Sequence, residues 1–120
     1  MSWIFENDRP IYTQLVDQLR MRIVTGIYQP GDRIGSVREL ASEAGVNPNT
    51  MQRALSELEN SGLIYSQRTS GRFVTDNPEQ IREARKSIAD QEIRSFISRM
   101  KELGLAKEEL LELLEDYDYE

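Results

Sequence analysis

Two short helices separated by a tight turn are encoded by residues 36–62, which read SVRELASEAGVNPNTMQRALSELENSG. Ser36 and Glu39 have the spacing of a capping box, in which each side chain accepts a hydrogen bond from the other residue's backbone N–H. The glycine that follows is suited to end this helix. Asn47 and Pro48 then start another, because asparagine caps a helix and proline fits its first turn. The stretch therefore predicts helix, turn and helix.

Apolar residues at three- and four-residue spacing give each of these helices one buried face. The two predicted stripes are Leu40, Ala41 and Ala44, and Met51, Ala54, Leu55 and Leu58. An earlier helix opens at Pro10 and ends at Gly26, and its apolar face carries Tyr12, Leu15, Val16, Leu19 and Ile23. We expect Arg20 and Arg22 to point away from that face.

A β-hairpin is predicted after the second capped helix. Residues 63–66 and 72–75 are short strand candidates around a turn at residues 69–71. Two strands alone are marginally stable, so they must pack on the preceding helices. The predicted fold class is therefore mainly α with a small β-hairpin. It comprises a winged helix-turn-helix in residues 1–75 and a C-terminal helical dimerisation arm with an acidic tail in residues 76–120.

The charge is divided at the same place. The chain carries a net charge of -6, and residues 1–75 contain eight arginines balanced by eight acidic residues, so residues 76–120 hold the whole excess. Lysine is absent before Lys86. Arginine presents a planar fork that suits phosphate and guanine edges, although chance explains a bias in eight residues equally well.

The composition argues against several function classes. Without cysteine or histidine, the chain lacks disulfides, thiolate metal sites and the commonest general base. Carboxylate or lysine catalysis stays open, but no nucleophile is evident, so we expect neither an enzyme nor a cofactor. The sequence shows no signal peptide and no apolar run that would span a bilayer. We therefore expect a cytoplasmic protein without membrane partners.

The helix from Asn47 to Asn60 would enter the major groove of DNA, with its N-terminal residues at base edges. Other interpretations stay open from spacing alone. Asn47 is twice as readily explained as a helix cap, and Arg53 could instead pair with Glu57 at i+4. The alternative function is a winged helix used for protein interaction or assembly, without DNA binding.

The sequence resembles the GntR family of bacterial regulators over about residues 9–75. The matching motifs are PIY (10–12), QL (14–15), PGDRI (30–34), SVRELA (36–41), GVN (45–47), RAL (53–55), LE (58–59), GLI (62–64) and GRFV (71–74). The short helical remainder is similar to the YtrA-type subfamily. The resemblance implies a transcription regulator that binds double-stranded DNA and acts as a repressor.

The resemblance also implies which residues contact DNA, carried over at matching positions. The full set of predicted DNA contacts, from the resemblance and from the N-terminal turns of the helix capped by Ser36 and of the recognition helix, is Arg33, Ser36, Arg38, Asn47, Asn49, Thr50, Gln52, Arg53, Arg68, Ser70, Gly71 and Arg72. Two residues depart from the family pattern. Gly35 replaces a usual proline, which predicts a looser loop, and Thr69 replaces a common glycine, which predicts a different wing turn.

The arm carries an apolar face that one thin helix cannot hide, and we expect it to form a homodimer, as a two-fold operator requires. The face consists of Ile88, Ile93, Phe96, Ile97, Met100 and Leu103. Trp3, Ile4 and Phe5 add a patch that we also assign to the dimer. The alternatives are an arm folded back on its own domain and a leucine-rich last helix that binds another protein. A small-molecule effector is compatible with the sequence but not indicated by it.

Overall fold

The computed structural model describes residues 2–119, and this part of the chain forms five helices and one two-stranded sheet. Their order is α1 (Ile11–Val24), α2 (Val37–Ala44), α3 (Pro48–Asn60), β1 (Ile64–Gln67), β2 (Gly71–Val74), α4 (Pro78–Glu102) and α5 (Lys107–Glu115). The predicted class, mainly α with a small hairpin, is confirmed. Across residues 2–119, no helix is long and apolar enough to cross a membrane.

The chain divides into two compact units, and α4 contributes to both. The first unit extends to Arg85 and the second begins at Lys86. The predicted domain boundary between residues 75 and 76 stays a prediction. In the first unit, α1, α2 and α3 share one apolar core, which the hairpin and the start of α4 complete. Its most deeply buried large side chains are Leu15, Leu19, Met51, Leu55, Leu58, Ile64 and Val74.

The ends of α2 are fixed by local hydrogen bonds, as its sequence predicts. The Ser36 hydroxyl accepts a bond from the Glu39 N–H at 3.1 Å, and the Glu39 carboxylate accepts one from the Ser36 N–H at 3.1 Å. These bonds to Ser36 lower the pKa of Glu39. Gly45 ends the helix with a φ of 71°, a left-handed conformation that glycine adopts without a Cβ clash.

The hairpin is supported by a third segment, residues 31–34, which runs along β2 and forms an antiparallel bridge between Arg33 and Phe73. In the sheet, Ile64 pairs with Val74 and Gln67 with Gly71. Beyond it, the Val74 N–H donates to the Asp32 carbonyl at 2.8 Å, and the Val74 carbonyl accepts from the Gly31 N–H at 3.0 Å. This pairing on the open edge of β2 explains how so short a hairpin is held in place.

The N-terminal segment packs along α1, and this overturns one expectation from the sequence. Arg22 does not face solvent: it is 5% exposed, and its guanidinium carbon lies 3.9 Å from the centre of the Trp3 ring. An aromatic face offers such a cation a favourable buried contact. The Gln14 side chain holds the same segment by exchanging hydrogen bonds of 2.7 and 2.8 Å with the Glu6 backbone. Trp3 therefore has a packing partner within its own chain, whereas Ile4 is 69% exposed.

Candidate nucleic-acid interface

The helix α3 is buried on one face and exposed on the other, so it can present side chains outward without losing its place in the core. The predicted stripe from Met51 to Leu58 is fully buried. At the N-terminus, the Asn47 side chain accepts a hydrogen bond from the Asn49 N–H at 2.7 Å. Asn47 therefore acts as the helix cap, the role that the capping preference of asparagine favours. Its amide oxygen is engaged within the chain.

Three of the predicted base-facing side chains lie on the outer face of α3. Asn49, Gln52 and Arg53 are exposed, whereas Thr50 is half-buried. The Gln52 amide donates a hydrogen bond to the Ser56 hydroxyl at 3.3 Å, along the same face. Amide and guanidinium groups in such a row can bond to adenine, guanine or phosphate. Sequence spacing thus located the outer face correctly.

Arg53 has a partner that the sequence did not suggest. Its guanidinium carbon lies 3.8 Å from the centre of the Tyr12 ring, at the start of α1. Glu57, the partner expected one turn along α3, instead acts on Tyr12. Hydrogen bonding with Glu57 is the main cause that raises the pKa of Tyr12, and Arg53 partly opposes it. The recognition helix and α1 are therefore linked through one aromatic ring.

Arg38 is the exposed basic residue of α2. Among residues 2–119 no hydrogen bond or ion pair to its side chain is present, so it can contact a phosphate without first breaking an internal bond. Ser36, also predicted to contact DNA, uses its hydroxyl as the acceptor that caps α2. A hydroxyl can still donate its own proton while it accepts. The two residues lie at the start of the helix that precedes the recognition helix.

We define the wing as residues 64–74. Arg33, which lies before α2, holds the wing through a hydrogen bond within the chain. Its Nε donates to the Ser70 carbonyl at 2.8 Å. Gly71 has a φ of 102°, and a Cβ at this position would lie 3.2 Å from the Arg33 Nε. Position 71 thus requires glycine for two reasons. Its φ is positive, and a Cβ there would crowd the Arg33 side chain. The phosphate contact by Arg33 stays a prediction. One guanidinium donor, Nε, is already used in the bond to Ser70.

A second set of hydrogen bonds within the chain joins the wing to α3. The Glu59 carboxylate accepts hydrogen bonds from Arg72 Nε at 2.6 Å and from the Ser66 hydroxyl at 2.7 Å. Burial raises the pKa of Glu59, but the bonds from Ser66 and Arg72 outweigh it and leave the pKa lowered. Arg72, predicted to contact DNA, is therefore turned toward the protein. Sequence reasoning missed Glu59 and Ser66, which are ordinary polar residues with no motif to mark them.

The tip of the wing remains exposed. Arg68 and Ser70 stand at the turn between β1 and β2, and both are accessible. Thr69 does not need a left-handed backbone, since no non-glycine residue between 2 and 119 has a positive φ. Gly71 supplies that conformation two residues later. The wing therefore presents Arg68 outward, while Arg33 bonds to the backbone of its turn and Arg72 joins it to α3.

Comparison with known proteins places this geometry in a family. The model of the bacterial regulatory proteins of the gntR family matches residues 11–74. The chain belongs to the GntR family. It is 42% identical to the HTH-type transcriptional regulator YhcF of Bacillus subtilis, over 90% of this chain and 89% of that protein. It is 32% identical to the HTH-type transcriptional repressor YtrA of the same organism, over 89% of this chain and 83% of that protein.

Solved structures of GntR proteins share the fold. A GntR family transcriptional regulator from Listeria monocytogenes superposes with a TM-score of 0.86 at 40% identity, covering 95% of this chain and all of that chain. The DNA-binding domain of AraR in complex with operator ORX1 superposes with a TM-score of 0.56 at 28% identity, covering 60% of this chain and 93% of that chain. This GntR protein is a DNA-binding transcription regulator with a winged helix-turn-helix fold, as predicted.

The second unit of this GntR protein contains an apolar groove of about 570 Å³ between the end of α4 and α5. Four of the six predicted dimerisation residues line it: Ile93, Phe96, Ile97 and Met100. Ile88 and Leu103 lie outside the groove, and Leu103 is 72% exposed. The other wall comes from the leucine-rich α5, including Leu110 and Leu114. The apolar face of α4 and the leucine-rich face of α5, which the sequence showed as separate patterns, therefore line one groove.

Proposed function

We propose that the chain binds a two-fold operator as a homodimer and acts as a repressor. The observation that carries this proposal is the outer face of α3, where Asn49, Gln52 and Arg53 are exposed on a helix whose opposite face is locked in the core. Arg38 and Arg68 are exposed on either side of α3 in the sequence and supply cations for the DNA backbone. Arg33, Ser36, Asn47, Thr50 and the base of the wing support the interface from within.

Repression is proposed from the relatives. YtrA and NagR of Bacillus subtilis are both named transcriptional repressors, and the chain resembles YtrA over nearly its whole length. Those relatives are regulators rather than enzymes, and we infer the same for this chain. Its DNA target lies in the bacterial cytoplasm, where we therefore place its action.

Homodimerisation is proposed from the groove in the second unit. Ile93 and Ile97 are 53% and 40% exposed, and Leu111 and Leu114 on the facing helix are about half exposed. Contiguous apolar surface of this kind is rare on a soluble monomer and usually marks an interface. Reading a two-fold operator requires two recognition helices related by a dyad. A second copy of the arm therefore covers the groove.

DNA binding is tested by selecting duplexes from a random library with the wild-type chain and measuring affinity by fluorescence anisotropy. Arg53→Ala should cost roughly 1–3 kcal/mol at one base position in each half-site. Arg82→Ala is the matched control, because it removes an exposed arginine outside the matched residues 11–74. Failure of the wild-type chain to enrich any sequence would favour the alternative, a winged helix that binds protein.

The dimer is tested separately by light scattering of the full chain. Ile97→Asp should convert the dimer to a monomer, since a carboxylate in an apolar interface is left without a partner. Ile27→Asp makes the same change at an isoleucine that is 46% exposed in the first unit, and it should leave the dimer intact. A wild-type chain that is monomeric at micromolar concentration contradicts the proposal.

A further inference from the structure

Tyr12 belongs to α1, outside the recognition helix, yet its ring contacts Arg53, one of the predicted base contacts on that helix. The Arg53 guanidinium carbon lies 3.8 Å from the ring centre, which is close for a cation above an aromatic face. Arg53 itself is exposed, and Tyr12 is half-buried. The ring is thus anchored in the first unit, while the cation remains at the surface.

The contact restricts an otherwise mobile side chain. A free arginine samples many rotamers, and ordering them on binding lowers affinity. Stacking uses the flat face of the guanidinium and leaves donors at its edge for hydrogen bonds. The ring therefore reduces the freedom of Arg53 before DNA arrives, while the Arg53 side chain stays exposed.

Glu57, one turn along α3 from Arg53, also acts on the Tyr12 side chain. Hydrogen bonding with Glu57 is the main cause that raises the pKa of Tyr12, and Arg53 partly opposes it. The phenol therefore stays protonated at neutral pH. The place of the ring beside Arg53 is defined by the 3.8 Å contact and by its half-buried position at the start of α1.

We propose that Tyr12 is a positioning residue that holds Arg53 for a bidentate contact with a guanine in the major groove. Guanine is the base whose O6 and N7 atoms match the arginine fork. A residue of α1 would thereby set part of the base preference of α3. This inference rests on the proposed operator binding, and its test separates the two.

The test compares base preferences, because a merely structural role of Tyr12 would weaken all sequences alike. Duplexes are selected from a random library with the wild-type chain, and the preference for guanine is measured at each half-site position. Arg53→Ala identifies the position that Arg53 reads. At that position alone, Tyr12→Leu should reduce the guanine preference about two- to fivefold. Tyr12→Phe keeps the ring and should stay within about twofold of the wild type.

Two controls distinguish positioning from loss of folding. Tyr28→Leu makes the same change at a tyrosine whose ring lies 5.9 Å from a different arginine, Arg22, and it should leave the preference unchanged. In the Arg53→Ala background, Tyr12→Leu should have no further effect at the guanine position. Thermal melts check folding, and Tyr12→Met replaces Tyr12→Leu if the leucine variant is unfolded.

The outcomes are separable. An unchanged guanine preference in a folded Tyr12→Leu or Tyr12→Met chain overturns the positioning role while leaving operator binding intact. An equal loss with and without Arg53 also overturns it, because Tyr12 then acts by another route. A wild-type chain that enriches no sequence overturns the proposed operator binding together with this inference.

Discussion

Replacing Glu59 by glutamine keeps the size of the side chain but removes the charge that joins the wing to α3. In the wild type, this carboxylate accepts bonds from Arg72 at 2.6 Å and from Ser66 at 2.7 Å. The Arg72 and Glu59 side chains are only 20% and 30% exposed. Glu59→Gln should therefore weaken the first unit itself, independently of any DNA contact.

The magnitude follows from this intermediate burial. Hydrogen bonds to charged groups contribute about 1.5–3 kcal/mol, whereas fully exposed pairs contribute about 0.2–1 kcal/mol. We expect Glu59→Gln to lower the free energy of unfolding by about 1–2 kcal/mol. For a unit of this size, Tm should fall by roughly 5–15 °C.

The pH dependence has a defined sign. Because the folded pKa of Glu59 is lowered, its contribution is present above the ordinary carboxyl pKa of about 4.3 and is lost as the pH falls through the lower folded value. The stability difference between wild type and Glu59→Gln should be constant near neutral pH and shrink in acid. Burial alone would raise the pKa of Glu59 and predict the opposite trend.

Urea denaturation of the wild type, Glu59→Gln, Arg72→Gln and the double variant measures the coupling directly. Glu43→Gln is the matched control, since it neutralises an exposed glutamate of α2. A coupling energy between Glu59 and Arg72 near zero would refute the reasoning. So would a stability difference that grows as the pH falls.

Three further predictions concern the proposed DNA interface and the stability of the helices that carry it. Arg38→Ala should lower affinity for operator and random duplexes by a similar factor and reduce the slope of log affinity against log salt by about one; an unchanged slope contradicts a phosphate contact. Asn47→Ala should cost about 1 kcal/mol of stability through the lost helix cap, and Asn47→Ser should recover most of it in urea melts. Gly35→Ala should stabilise the chain by about 0.4–1 kcal/mol through the unfolded state, because the added Cβ would meet Glu39 and Leu40 at ordinary contact distances of 3.5 Å; a lower urea midpoint would contradict this.

The helices and their ends could be predicted because their causes are local. The capping box at Ser36 involves residues three apart, and the Asn47 cap involves residues two apart. The buried stripe of α3 follows from spacing along one helix. These features need no knowledge of the remaining chain, so the sequence was sufficient for the order of elements and for the outer face of α3.

The sequence could not show which arginines are held within the protein and which remain exposed to DNA, because the partners of the held ones are distant along the chain. Arg72 bonds to a glutamate 13 residues away, and Arg33 bonds to a carbonyl 37 residues away. Arg22 is covered by Trp3 from the N-terminal segment. The family resemblance marked Arg33 and Arg72 as DNA contacts, whereas folding gives both of them a partner within the chain. Only Arg38 and Arg68 remain as predicted DNA-contacting arginines without such a partner among residues 2–119.

Segment 31–34 is synthesised well before the strand that it pairs with. Helices α1 to α3 can form from nearby contacts during translation, but the edge between Asp32 and Val74 waits until β2 has left the ribosome. Until then the segment exposes unpaired backbone groups, which are a template for pairing with a strand from another chain. This edge of the wing therefore closes only after α1 to α3 have been synthesised, and until then segment 31–34 is a site at which another nascent chain can pair.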